Sequence, residues 1–189
     1  MKISGLALGL LIVFAPLAAS AQTAPAPAQA AAASTSSAHA AWWSAERWRY
    51  RDDAAAEEAY RALTVRQSPW PEWHQVHVVW LPRGTRVQMA LSPGQPPERP
   101  GAFATFDAIP DSAWVRRALA VKVAWKPTVD RVVTYEIVEP LPADTGMVGP
   151  QIDEAGPAYL PGGGSQLEMM VIAADRMRYL KVIEVRPIR

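Results

Sequence analysis

The chain has 189 residues, of which 19 are basic and 18 acidic, and half of its residues are hydrophobic. This near-neutral balance gives no general attraction to polyanions, which argues against nucleic acid or an anionic membrane surface as the main partner. Cysteine is absent, so thiol catalysis and zinc-thiolate sites are excluded.

The first 21 residues, MKISGLALGLLIVFAPLAASA, are predicted to be a secretory signal peptide. One lysine precedes an apolar run over residues 6–17, and small residues precede a cleavage point after Ala21. Pro16 interrupts the apolar run, which is shorter than the ~20 residues that a membrane span needs. We therefore expect a secreted or periplasmic protein with no membrane span after cleavage.

Residues 22–41 are rich in alanine, proline and serine and contain no bulky apolar side chain. Such a segment cannot bury enough surface to offset the entropy of ordering, so we expect a disordered tether here. The remaining residues, 42–189, form one domain of ordinary size. Ser44 is an N-cap candidate, and the alanine-rich sequence after it predicts one amphipathic helix over residues 44–63.

The sequence beyond this helix consists of short runs rich in β-branched and aromatic residues. Proline and glycine separate nearly all of them, which is typical of antiparallel strands joined by tight turns. The fold class is therefore predicted to be α+β, a mainly antiparallel β domain with an N-terminal helix. The runs are QVHVVWL, TRVQMAL, AFATF, ALAVKVAW, VVTYEIV, QLEMMVIAA and RYLKVIEV.

Two histidines, His74 and His77, raise the alternative of a metal site. They lie in a run that reads as a strand, where positions three apart point to opposite faces of the sheet. No third ligand is within reach in the sequence, so no metal site is predicted.

The stretch PGGGSQLEMMVIA, residues 161–173, carries the clearest functional signal. A run of glycines is often a flexible turn, but it also lets a backbone approach a ligand closely. The strand that follows places Gln166 and Glu168 on one face. A carboxamide beside a carboxylate can bind a ribose hydroxyl and stabilise the cationic sugar that forms when an N-glycosidic bond breaks.

Three stretches of the chain resemble the TNT (necrotizing toxin) domain family, over about residues 78–185. They are LPRGTRVQMALSPGQPPERPGAFATF, VVTYEIVEPLPADTGMVGP and AGPAYLPGGGSQLEM. The resemblance implies a compact fold related to ADP-ribosyltransferases and a delivered toxin that hydrolyses NAD to nicotinamide and ADP-ribose. NAD is then the substrate and no separate cofactor is needed, and a cognate immunity protein is a possible partner.

The resemblance also implies the residues of the site. Gln166 falls on the functional glutamine of the family and is predicted to be catalytic, assisted by Glu168. Substrate-binding roles are predicted for Gly162, Gly163 and Gly164 of the glycine loop, and for Tyr135 on the preceding strand.

The chain departs from the family pattern at two positions that carry arginine there, where it has Met89 and Asp107. An arginine at such a position would bind the pyrophosphate through charge-assisted hydrogen bonds. Arg86 is therefore predicted as the replacement, with other nearby arginines as alternatives. Arg83, Arg99, Arg116 and Arg117 are those alternatives.

Three functions follow from these patterns. The first is an exported NAD glycohydrolase. The second is an ADP-ribosyltransferase, which the Gln-x-Glu pair at Gln166 and Glu168 favours. The third is a catalytically silent binding or interaction module with the same fold in the periplasm, which the two missing arginines favour.

Overall fold

The structure, a computed structural model, describes residues 27–155 and 158–189, and side chains from residue 37 onward. The predicted signal peptide, residues 1–21, lies outside the described residues, as does the beginning of the predicted tether. Within the described residues, no helix has both the length and the apolar character needed to cross a membrane.

Two helices and a short 3-10 turn form the N-terminal part. Helix α1 is Pro27–Glu46, the 3-10 turn is Arg47–Arg49, and α2 is Asp53–Val65. The prediction of a single helix over residues 44–63 is therefore wrong, because the helix is interrupted between α1 and α2. Asp52 begins α2 as an N-cap, because its side chain accepts a hydrogen bond from the N–H of Ala55 at 2.8 Å.

The tether expected over residues 22–41 also differs from the structure, in which residues 27–41 belong to α1. Ala38 and Trp42 are buried and pack with α2, and the Trp42 and Tyr60 rings lie 5.3 Å apart. Alanine is the strongest helix former, and a buried tryptophan anchors the helix that carries it. Packing on α2 therefore supplies the stabilisation that the segment lacks alone. Residues 22–26 lie outside the described part.

In the rest of the described chain, the elements are nine strands, two further helices and a 3-10 turn at Ala173–Asp175, and the α+β class with mainly antiparallel strands is confirmed. The helices are α3, Ser112–Ala118, and α4, Arg176–Tyr179. The strands are β1 Val78–Leu81, β2 Arg86–Leu91, β3 Phe103–Ala104, β4 Arg131–Ile137, β5 Leu141–Met147, β6 Gln151–Asp153, β7 Ala158–Leu160, β8 Ser165–Met169 and β9 Leu180–Pro187.

The run ALAVKVAW, residues 118–125, was predicted as a strand and is not one. Asp111 caps α3 by accepting from the N–H of Trp114 at 2.7 Å, and the helix extends to Ala118. The chain then turns, with the N–H of Trp125 donating to the carbonyl of Lys122. The apolar side chains of the run pack around α3 instead of forming a strand face.

The strands form two larger sheets, with orders β1-β5-β8-β3 and β2-β4-β9. An antiparallel bridge between Gln88 and Thr105 joins β2 to the end of β3, through two backbone hydrogen bonds of 2.8 and 2.9 Å. The two sheets therefore continue into one another. Strands β6 and β7 form a separate hairpin-like pair that packs on the N-terminal helices.

The two faces of the joined sheet have different environments. One face carries the main core, which includes Val87, Tyr135 and Leu167. Because directly paired residues share a face, the pairs Phe103 with Glu168 and Gly146 with Gln166 place these four residues on the opposite face. We call this opposite face the outer face.

Two segments cover the outer face. Helix α3 packs its Val115 against Ala90 and Val132. Residues 66–74 cross the sheet at the other side, where a Cβ built on Gly146 would lie 3.0 Å from the ring of His74. A gap remains between the two covering segments, and the candidate site lies in it.

Candidate functional site

A cavity of about 410 Å³ opens on the outer face between α3 and residues 67–69. A volume of this size accommodates part of a dinucleotide or one small ligand. Most of its wall is apolar, and the lining residues whose side chains carry a polar atom are Gln67, Trp125, Lys126 and Gln166. The lining residues are Gln67, Pro69, Met89, Ala90, Gly101, Ala102, Phe103, Ala104, Val115, Leu119, Val121, Trp125, Lys126 and Gln166.

Gln166 is the most informative residue of the wall. It lies on β8, only 5% of it is exposed, and its Nε2 has no hydrogen-bond partner in the structure. A buried donor left without an acceptor costs about 1–3 kcal/mol. A polar ligand group that reached this amide would remove that cost, which makes Gln166 a candidate ligand contact.

The start of β8 is fixed beside this residue. The Asp107 carboxylate accepts from the N–H of Ser165 at 2.7 Å, and the Ser165 hydroxyl lies 2.9 Å from that of Thr105. The Ser165 hydroxyl also accepts from the N–H of Phe106 at 3.0 Å. Asp107, which stands where the resemblance leads one to expect arginine, therefore positions the strand that carries Gln166.

The glycine loop has a different role from the one expected. The N–H groups of Gly162, Gly163 and Gly164 donate to the carbonyls of Arg117, Val148 and Ala118, respectively. None of these three groups remains for a phosphate. Glycine is required at position 162 because another part of the protein backbone lies close to it. A Cβ on Gly162 would lie 2.6 Å from the carbonyl oxygens of Val148 and Gly149. The loop, which joins β7 to β8 in the chain, therefore uses its N–H groups to bind the end of α3 and Val148, and these groups are not free to donate to a dinucleotide.

Glu168 shares the outer face with Gln166 but does not line the cavity. Its Oε2 accepts from the indole N–H of Trp70 at 3.3 Å. Trp70 stacks on His74 with ring centroids 4.1 Å apart and an angle of 7° between the planes. Glu168 thus contacts the segment that covers the sheet.

His74 is part of a buried pair that the sequence did not reveal. Its Nε2 lies 2.7 Å from Oδ2 of Asp144, which is 1% exposed. The other oxygen of Asp144 accepts from the backbone N–H of His77 at 3.1 Å. Across the described residues, no group of three potential ligands is placed to hold a metal ion.

Two predicted substrate-binding residues lie away from the cavity. Tyr135 is fully buried in the main core, its hydroxyl donates to the carbonyl of Pro97 at 2.7 Å, and burial raises its pKa to about 12. Arg86 is exposed at the start of β2, with its Nε 3.7 Å from Glu136. It is three residues, or about 10 Å along the strand, from the cavity-lining Met89. Neither Tyr135 nor Arg86 therefore lines the cavity.

Lys126 is a cavity residue that the sequence analysis missed, because it follows a run read as a strand. Its ammonium group donates to the carbonyl of Ala90 at 2.6 Å. Burial, and secondarily the positive charge of Arg116, lowers the pKa of Lys126. No motif in the sequence signals this placement, which depends on how the segment after α3 folds back on β2.

The fold and site define an α+β protein of antiparallel strands, with a mostly apolar cavity on one sheet face and a buried glutamine in its wall. Tne2, solved in complex with Tni2, is similar to it, with 25% identity and a TM-score of 0.52 over 63% of this chain and 97% of Tne2. No family model matches the chain, and no curated protein matches it.

Two other solved structures are less similar to this chain in sequence identity and TM-score. Rhs1-CT, in complex with its cognate immunity protein RhsI1, has 17% identity and a TM-score of 0.37 over 60% of this chain and 80% of its own. Tse6, in complex with Tsi6, has 15% identity and a TM-score of 0.39 over 82% of this chain and 96% of its own.

Proposed function

We propose that the protein is a toxin-like NAD glycohydrolase, which cleaves NAD to nicotinamide and ADP-ribose. The observation that carries this proposal is the unpaired amide of Gln166 in the wall of an apolar cavity. Two further facts support it. The sequence around the amide resembles the glutamine loop of the TNT family, and the chain is similar in structure to Tne2.

The chemistry requires a site that binds the ribose next to the bond that breaks. The bond between ribose C1 and the nicotinamide nitrogen breaks, its electron pair moves to the ring nitrogen, and neutral nicotinamide leaves. Water then adds to C1 and loses a proton. Apolar walls such as Phe103 and Leu119 exclude bulk water from the leaving ring, and the Gln166 amide donates to a ribose oxygen.

Gln166 is the residue of this site that contacts substrate, and Glu168 is a positioning residue. Through its hydrogen bond to Trp70, Glu168 fixes the segment that contains the cavity-lining Pro69. The glycine loop positions β8 from its other end. A side chain fixed on both sides is held to the tolerance that bond cleavage requires.

A cognate immunity protein is part of this proposal. Tne2 was solved in complex with the partner protein Tni2, and a toxin whose substrate is NAD endangers the cell that makes it. We propose that the protein is exported through its predicted signal peptide and is secreted or periplasmic.

A catalytically silent binding module is the second candidate, and one observation favours it. Met89 lines the cavity, and the Asp107 carboxylate is occupied by the N–H of Ser165. These are the two positions at which the resemblance leads one to expect arginine. An ADP-ribosyltransferase, in which a protein nucleophile replaces water, would use the same cavity.

Incubation of the mature chain with NAD, followed by chromatography of the products, tests these candidates. Release of nicotinamide with equal ADP-ribose supports the glycohydrolase. Labelling of added protein by ADP-ribose identifies the transferase instead, and binding without turnover identifies the silent module. We expect Gln166→Ala to abolish turnover, whereas Gln75→Ala, at an exposed glutamine outside the cavity wall, retains it.

A further inference from the structure

The cavity holds a positive charge that no carboxylate neutralises. Lys126 lines the wall and donates to the carbonyl of Ala90, but it forms no salt bridge with any described residue. Lys126 is half-buried, and a charge that is partly withdrawn from water is normally paired with an opposite charge, because desolvation is costly otherwise. The charge of Lys126 is therefore uncompensated within the described chain.

A second cation lies beside it. The Arg116 guanidinium donates to the carbonyls of Val121, Lys126 and Pro127 at 2.8, 2.6 and 2.9 Å, and its partners are neutral. These bonds fix the turn that carries Lys126. Two positive charges beside an apolar cavity, one in its wall and one bonded to the backbone of the first, create a positive potential there because their hydrogen-bond partners are neutral.

We propose that Lys126, with Arg116 behind it, forms an anion subsite that binds a phosphate group of the substrate, an inference that rests on the proposed function for the substrate's identity. The ammonium group has three N–H donors, and Ala90 uses one of them. Two remain for phosphate oxygens. The subsite binds the phosphate group that the resemblance leads one to expect arginines to bind at positions 89 and 107, where this chain has Met89 and Asp107.

The subsite gives the ligand a direction in the cavity. In the proposed complex, a phosphate binds Lys126 and a ribose hydroxyl binds Gln166, two polar residues that line the same cavity. A nucleotide meets this arrangement because its phosphate and ribose oxygens are separated by a short covalent link. A nucleoside without phosphate would use Gln166 and the walls alone.

Calorimetry with ADP-ribose, adenosine and inorganic phosphate tests the subsite without turnover. We expect Lys126→Met to weaken ADP-ribose binding by about tenfold or more, because a charge-assisted bond is lost. Adenosine affinity should stay the same. Inorganic phosphate binding that depends on Lys126 would show that the phosphate group alone is recognised, which also supports the subsite.

Lys122→Met is the matched control. Lys122 is buried, and its ammonium group donates to a backbone carbonyl, that of Arg66 at 2.7 Å, as that of Lys126 does, but it does not line the cavity. This variant should bind ADP-ribose as the wild type does. If Lys126→Met does not fold, Lys126→Gln is measured instead. The dependence of wild-type affinity on sodium chloride concentration then gives a second test of the subsite. ADP-ribose affinity should fall with salt, and adenosine affinity should not.

Two outcomes overturn the subsite: wild-type protein that does not bind ADP-ribose, or equal ADP-ribose affinity in wild type and the folded Lys126 variant. The proposed function fails separately. If ADP-ribose binding depends on Lys126 but NAD is not hydrolysed, the subsite stands and the glycohydrolase does not. If NAD is hydrolysed and Lys126→Met binds normally, the subsite falls alone.

Discussion

The carboxylate of Asp107 accepts a hydrogen bond from the backbone N–H of Ser165 at 2.7 Å, one residue before the cavity-lining Gln166. The same oxygen lies 3.4 Å from the hydroxyl of Thr105, on the chain segment that follows β3. This carboxylate therefore joins the loop after β3 to the first residue of β8. The direction in which β8 presents Gln166 depends on that link.

Substitution of Asp107 by alanine should therefore lower both stability and activity. The N–H of Ser165 loses a charged acceptor, so we expect a loss of about 1–3 kcal/mol in the free energy of unfolding. Urea denaturation measures it. Asp175→Ala, at an exposed carboxylate, should change stability by less than about 0.5 kcal/mol. Equal stability of the two variants would show that the Asp107 bond contributes nothing.

Tyr135 gives a prediction on pH. Its pKa is raised to about 12 by burial, from an unfolded value of 10, so the folded state favours the neutral phenol. The stabilisation is fully present below pH 10 and is lost as the pH rises towards 12. Other groups also titrate in this range, so the wild type is compared with Tyr135→Phe. As the pH rises, the free energy of unfolding of the wild type should fall further than that of the variant, by on the order of 2 kcal/mol.

Denaturation of wild type and Tyr135→Phe at pH 8 and pH 11.5 measures the difference. At pH 8 the variant should be less stable by about 1 kcal/mol, since it lacks the hydrogen bond to Pro97. Turnover of NAD should be unchanged, because Tyr135 lies in the core and not in the cavity. A large loss of NAD turnover in Tyr135→Phe would show that Tyr135 does contribute to the site.

The sequence predicted the strands with alternating or continuous β-branched patterns, and their pairing produced the expected α+β class. It did not predict β5, because LPADTGM contains proline, aspartate and glycine, which are uncommon in strands. These residues fit because Asp144 has a partner in His74 and Gly146 must leave room for a ring. Both reasons depend on contacts distant in sequence.

The sequence predicted only those parts of the site that depend on the local alternation of residues along a strand. Alternation along β8 placed Gln166 and Glu168 on one face, as a strand requires. The rest of the site depends on tertiary contacts: Lys126 reaches the cavity from the turn that follows a run predicted as a strand, and Arg86 lies outside the cavity, beside Glu136. Tyr135 belongs to the buried face, which a short strand pattern does not reveal.

The glycine loop supplies a paired prediction. Gly162 and Gly163 both have positive φ, of 71° and 89°, but only Gly162 has no room for a side chain. Gly163→Ala should cost about 1–2 kcal/mol of stability, the strain of a left-handed residue. Gly162→Ala should cost more than about 3 kcal/mol, because its Cβ would also collide with two backbone carbonyls. Urea denaturation of both variants measures the difference, and equal losses would show that the collision is relieved easily.

The last prediction separates what Gln166 does for activity from what it does for stability. Gln166 and Gln151 are both buried, and each has one amide atom without a partner, Nε2 in Gln166 and Oε1 in Gln151, but Nε2 of Gln151 also donates to the carbonyl of Ser68 at 2.8 Å. Gln166→Leu removes an unpaired donor and should leave stability unchanged or raise it by up to about 1 kcal/mol, whereas Gln151→Leu should lower it by about 1 kcal/mol or more. NAD turnover should show the reverse order, lost in Gln166→Leu and retained in folded Gln151→Leu. Thermal unfolding and nicotinamide release measure the two properties. If Gln166→Leu were strongly destabilised and still hydrolysed NAD at the wild-type rate, the glutamine would be a structural residue and its assignment to the site would be wrong.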